Sequence, residues 1–207
     1  QDRIYINPNE RMNYIFNSKI DCAEESDLIL LIGTNPRFEA TILNYRIRKG
    51  FLKNKTKIYS IGDVGDLTYP YKLVENNTRV IKDIVDYNHS MSNEIVNAKK
   101  PIIIIGQSVL KTNSGPYIFE EIKKFLKDNN KINTEWNSLN VLSCNASTVG
   151  SYDLDILSSK DGNNNVLEKI KKNYFGIIFL FGQENLKFKK SNEFIIYIGS
   201  HGDRGAE

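Results

Sequence analysis

Few side chains in this sequence have the type and spacing to do chemistry, and they fall in two places. In GSHGDRG, His201 stands between glycines, with Asp203 two residues on and Arg204 beside it. An accessible imidazole with a carboxylate to orient it is the elementary kit of general acid–base chemistry. A turn in which the Asp side chain accepts backbone N–H bonds meets the same pattern and carries more weight. Ser200 has no partner base, which sets a Ser-His-Asp hydrolase aside. The second place is Gly33-Thr34-Asn35-Pro36-Arg37-Phe38-Glu39, directly after an apolar run. Arg37 and Glu39 could clamp a phosphate or pair with neighbours. No second glycine follows, so neither G-x-G-x-x-G nor G-x-x-x-x-G-K-[ST] is present, and a standard dinucleotide or P-loop site is not expected.

Metal chemistry is poorly provided for. Cys22 and Cys144 are the only cysteines, far apart and without C-x-x-C, so no disulfide framework or cysteine-ligated cluster is expected, and the compartment reads as reducing. His89 lies in DYNHSMSN, read as a loop. A net charge of +3 from 28 basic and 25 acidic residues does not argue for nucleic acid. The clusters Lys123-Lys124 and Lys187 to Lys190 read as solvated faces. The longest apolar run is FGIIFLF, far short of the roughly 18 residues of a membrane-spanning helix. Without an initiator Met, and stopping in a Gly-rich turn, the chain reads as a piece of something larger.

The elements that would position these residues follow one plan. With 207 residues and 40% apolar content, the chain can bury one sizeable core or two small ones. Five apolar runs each end in glycine, at Gly33, Gly62, Gly106, Gly182 and Gly199. Such runs suit strands covered on both faces. Between them lie helical patterns, over Pro116 to Lys127 and over Thr78 to Tyr87. The fold class is therefore α/β, an open and mainly parallel sheet with helices on both faces and βαβ crossovers. Pro36 should open a helix capped by Thr34 or Asn35, with Arg46, Arg48 and Lys49 near its C-terminal end.

We expect a helix over Trp136 to Ser143, then an irregular excursion, a loop at Asp161 to Asn165 and a helix over Val166 to Lys172. The interval from Gly182 to Gly199 is short for a helical crossover, so the last strand is expected at an edge or in a different pairing. The chain reads as a single α/β domain or part of one, with 1–26 as a lead-in, 27–128 as the βαβ core, 129–173 as an excursion and 174–207 as closing strands. Five glycine-terminated strand ends would line one rim, where α/β sheets bind ligands. Its candidates are Gly33, Thr34, Asn35, Gly106, Gly182 and His201, although glycines simply end strands in most such proteins.

Longer stretches carry a resemblance. EESDLILLIGTNPRFEATILNYRIRK, with MNYIFNSKI before it and IYSIGDVGDLTYPY after it, resembles the large iron–sulfur subunit of respiratory complex I in its molybdopterin-oxidoreductase-like region. KKPIIIIGQSVLKTNSGPYIFEEI and FIIYIGSHGDRGAE extend it over most of the chain, and TNPRFEA followed by N-x-R-I-R-K is its most specific part. The resemblance implies a molybdenum-enzyme fold that usually carries no pterin and serves as scaffold in the peripheral, NADH-oxidising arm. Iron–sulfur clusters would be ligated in an amino-terminal part absent here or in a partner chain, so no cofactor, metal ligand or catalytic residue is assigned to this segment.

The partners implied are the cluster-bearing half of the same subunit and the flavoprotein subunits, on the matrix side of the mitochondrial inner membrane or the cytoplasmic side of a bacterial one. Residue usage rich in Ile, Asn and Lys points to an AT-rich coding sequence, as in an organellar or similarly biased genome. A chain lacking those neighbours should expose apolar surface. The alternatives are a pterin- or nucleotide-binding portion of a molybdenum oxidoreductase, and a free-standing module binding a small anion at the Gly33 and Gly106 rim.

Overall fold

The computed structural model describes residues 7–145, 147–154, 169–170, 172–182 and 192–199. His201, Ser200, Asp203, Arg204, Lys187 to Lys190 and the expected loop at Asp161 to Asn165 lie outside them. Of the helix expected over Val166 to Lys172, Lys169 and Ile170 are described as helical. Contacts divide the chain into two compact units, Gln1–Ile156 and Leu157–Glu207.

The first unit is built on a five-stranded sheet of order β3-β2-β1-β4-β5. Its strands are β1 (Leu28–Ile32), β2 (Lys57–Ile61), β3 (Lys72–Glu75), β4 (Pro101–Gly106) and β5 (Leu139–Leu142). Every pairing is parallel. The central strands β1 and β4 are buried along their whole length, as LILLI and PIIIIG require when both faces are covered.

Alternation along each strand sorts side chains into two cores. Leu28, Leu30, Ile32, Ile103 and Ile105 pack under α4 (Val80–Val85), α5 (Ser90–Asn97) and α7 (Gly115–Asp128). Ile29, Leu31, Ile102 and Ile104 pack under α3 (Thr41–Asn54) and α1 (Cys22–Glu25). Helices therefore lie on both faces. The short helices α2 (Pro36–Glu39), α6 (Gln107–Leu110) and α8 (Thr148–Asp153) also belong to this unit. Helix α7 covers the span expected from its periodicity, with Ile118, Ile122, Phe125 and Leu126 buried.

Three expectations are corrected. The helix placed over Trp136 to Ser143 is strand β5, where LNVL adds to the edge of β4. So short an apolar run has no resolvable period, and tertiary pairing decides it. Helix α3 runs to Asn54 and ends with Lys55 at φ 58, so Arg46, Arg48 and Lys49 lie in its middle. Arg46 and Lys49 instead pair with Glu24 of α1. Lys123 is not on a solvated face: its side chain is 7% exposed, and Nζ donates to Glu10 at 2.6 Å and to Asn13 at 2.8 Å.

The second unit contains β6 (Ile177–Phe181) and β7 (Phe194–Ile198), paired in parallel with each other in a two-stranded sheet. The residues between Phe181 and Phe194 meet the roughly dozen-residue minimum for a parallel crossover. Five glycine-ended strands do not share one sheet: β1, β2 and β4 belong to the first unit, β6 and β7 to the second.

Candidate functional site

The carboxyl ends of β1, β4 and β5 bring Gly33, Thr34, Asn35 and Gly106 together. A Cβ added at Gly106 would stand 2.2 Å from the Gly33 carbonyl oxygen and 2.7 Å from Thr34 Cβ. At Gly33, where φ is +56, a Cβ would meet Val109 Cγ2 at 2.3 Å. Both glycines are thus needed for close approach of protein to protein. Gly62 differs, with φ +92 and open space where a Cβ would sit, so it serves only to turn the chain. Gly182, at φ +54, belongs to the second unit.

The turn after Gly33 is held by its own side chains. Asn35 caps α2, its Oδ1 accepting from Arg37 N at 3.0 Å, with Pro36 at the helix start as its missing N–H permits. The Asn35 Nδ2 donates to Val64 O at 2.5 Å, tying the turn to the loop after β2. Glu39 reaches back: its carboxylate accepts from Asn35 N at 2.8 Å and from Thr34 Oγ1 at 2.9 Å. Arg37 donates to Asp66 Oδ2 at 2.5 Å and to Asp66 O at 3.2 Å. The Asp66 carboxyl is held below its ordinary range by the Thr68 N–H first and Arg37 second.

A neighbouring layer closes over this turn. The Ser108 hydroxyl donates to Gly33 O. Gln107 Nε2 donates to Ser143 Oγ at 2.9 Å, and Ser143 Oγ donates to Asn145 O at 3.2 Å. Cys144 Sγ lies 3.7 Å from Glu39 Oε2. Burial, then the Glu39 charge, pushes the Cys144 thiol up, away from the thiolate that nucleophilic attack or metal binding uses. A pterin phosphate set at this turn would face the Glu39 carboxylate and would have to displace it from Asn35 N and Thr34 Oγ1. The donor set therefore does not fit such a group.

Elsewhere the sequence candidates divide. His89 caps α5, its Nδ1 accepting from Met91 N at 3.1 Å. Cys22 and Cys144 are free, and among the described residues no three His, Cys, Asp or Glu side chains gather as metal ligands. Sequence reasoning missed the clasp on the N-terminal segment. Arg11 donates to both oxygens of Asp153 at 3.0 Å, and Tyr14 OH donates to the same carboxylate at 2.8 Å. Tyr14 and Asp153 are 139 positions apart in sequence, and no local pattern announces the contact. The role of Glu39 was nearer to legible, since an acidic side chain in a first helical turn serves the N-terminal N–H groups.

The sequence matches the molybdopterin oxidoreductase family over residues 2–207. The chain belongs to that family. Among its relatives, the NADH-ubiquinone oxidoreductase 75 kDa subunit of Reclinomonas americana is 39% identical over 100% of this chain and 30% of its own length. The mitochondrial NADH dehydrogenase [ubiquinone] iron-sulfur protein 1 of Solanum tuberosum is 32% identical over 96% of this chain and 26% of its own. The mitochondrial NADH-ubiquinone oxidoreductase 78 kDa subunit of Candida albicans is 36% identical over 95% of this chain and 26% of its own. The chain of this molybdopterin oxidoreductase family member thus spans less than a third of the relatives it matches. No helix among its described residues is long and apolar enough to cross a membrane.

Proposed function

We propose that this chain is a packing segment of the large iron–sulfur subunit of a proton-pumping NADH:quinone oxidoreductase, and that it makes no chemistry itself. The observation that carries this is the match of the whole chain, at 39% identity, to a 75 kDa NADH-ubiquinone oxidoreductase subunit. The geometry of the strand-end rim supports it. Glu39 engages the donors a phosphate would need, and Gly33 and Gly106 are packed against protein. Both compact units belong, in this reading, to one molybdopterin-oxidoreductase-like domain. Iron–sulfur clusters sit in other parts of the subunit or its partners. The partners are the cluster-bearing half and the flavoprotein subunits of the peripheral arm, on the matrix side of the mitochondrial inner membrane.

The test is mass spectrometry of the native particle containing this chain, with elemental analysis for iron and molybdenum. Co-purification with flavin- and iron-bearing NADH dehydrogenase subunits, without molybdenum, is expected. A lone chain carrying molybdenum or a guanine nucleotide would overturn the proposal and establish a molybdenum oxidoreductase.

A further inference from the structure

Helix α3 buries Leu43, Asn44, Ile47 and Gly50 on one side. On its other side Ile42, Tyr45 and Leu52 are 68%, 61% and 59% exposed, and Phe38 of α2, before the break in the helix at Ala40, is 78% exposed. On α3, positions 42, 45, 49 and 52 advance by three and four, the stepping of a helix–helix seam. Single exposed apolar residues are ordinary, but a seam of them on one helix is a surface made to be covered. Its one polar member, Lys49, is drawn aside to Glu24 at 2.8 Å.

The charge beside the seam has one sign. Helix α3 carries Arg46, Arg48, Lys49 and Lys53 with no acidic residue, and Lys55 follows as its cap. Glu24 answers Arg46 and Lys49. Among the described residues no ion pair answers Arg48, Lys53 or Lys55. We infer that the outer face of α3 docks an acidic amphipathic helix of a partner polypeptide. Apolar side chains of that helix pack between Ile42, Tyr45 and Leu52, and its carboxylates meet Arg48 and Lys53.

Charge selects this occupant. A second copy would set Arg48 and Lys53 against their own kind, which like-charged helix flanks oppose. A lipid surface takes a helix with a broad apolar face, whereas α3 has already committed its inner face to the sheet and offers one narrow seam. The inference goes beyond the proposed function and does not rest on it.

The test uses the full 207-residue chain and a fluorescent synthetic peptide about four heptads long, with Leu at both seam positions and Glu at the flanks. A second peptide carries Lys at the flanks. Saturable binding of the acidic peptide, about tenfold tighter than the basic one at low salt and weakened at high salt, is expected. Tyr45→Glu should abolish binding, and Arg48→Glu should erase the preference for acid. Both positions are exposed, and unchanged thermal melts would verify that each variant folds. Absent binding, or equal binding of the two peptides, overturns the inference. So does a concentration-dependent dimer lost in Tyr45→Glu, which assigns the seam to a second copy. Binding to anionic phosphatidylglycerol vesicles that Tyr45→Glu removes, without peptide binding, assigns it to lipid.

Discussion

If the rim is packed rather than open, Gly106→Ala should be among the most damaging single-methyl additions in the first unit. The new carbon would stand 2.2 Å from Gly33 O and 2.7 Å from Thr34 Cβ, and Thr34 is only 2% exposed. Ordinary contact lies beyond 3 Å, so β1 and β4 must part by about 1 Å at their carboxyl ends. Overpacking of this kind costs about 1–3 kcal/mol, and with backbone as one wall we expect the upper value, about 3 kcal/mol. A urea slope of about 2 kcal/mol/M then lowers the unfolding midpoint by about 1.5 M. Trp136, the only tryptophan, donates Nε1–H to Pro101 O at 2.7 Å, so its fluorescence reports on β4 itself. Gly62→Ala is the control: it meets open space and loses only the backbone freedom of φ +92, about 1–2 kcal/mol. A Gly106→Ala midpoint within about 0.3 M of the parent protein would refute the reasoning, because a packed wall cannot absorb the methyl group so cheaply.

Acid should unfold the chain with a definite sign. Glu10, Glu24, Asp63, Asp66 and Asp153 are all held below the usual carboxyl range, led by Lys123, Lys49, the Gly65 N–H, the Thr68 N–H and Arg11 respectively. The unfolded chain therefore binds more protons than the folded one. Their contribution is complete above the unfolded carboxyl values, about pH 4, and is lost as pH falls through the lower folded values. Urea midpoints flat between about pH 5.5 and 7 and falling below about pH 4.5 are expected, and a rise in acid would contradict the assignment. Lys123→Ala removes the donor to buried Asn13 and leaves a void, so a loss of about 2 kcal/mol is expected in thermal unfolding. Lys123→Met, which keeps the volume, should lose less. Asn35→Ala removes the α2 cap and the bond to Val64 O, with an expected loss of about 1–2 kcal/mol by urea titration.

The parallel α/β class was legible because LILLI and PIIIIG are apolar at every position, which only a strand covered on both faces tolerates. Helix α7 was legible from its 3.6-residue stepping, and the start of α2 from Asn35-Pro36. These are local constraints, written within a few residues of where they act.

What tertiary structure decided has the opposite character. LNVL became β5 because an unpaired β4 edge waited for it. Arg46 and Lys49 found Glu24, more than twenty residues back, and Lys123 found Glu10 and Asn13 across more than a hundred. The five glycine-ended runs look alike in sequence, yet they divide between two sheets, because pairing partners are chosen by three-dimensional packing and not by the residue that ends the strand. The composition of the turn after Gly33 left open whether a ligand or the protein itself fills it. The approach of Gly106 and the reach of Glu39 showed which donors the protein keeps for itself, since a hydrogen-bond donor engaged by a neighbouring carboxylate is no longer available to a phosphate.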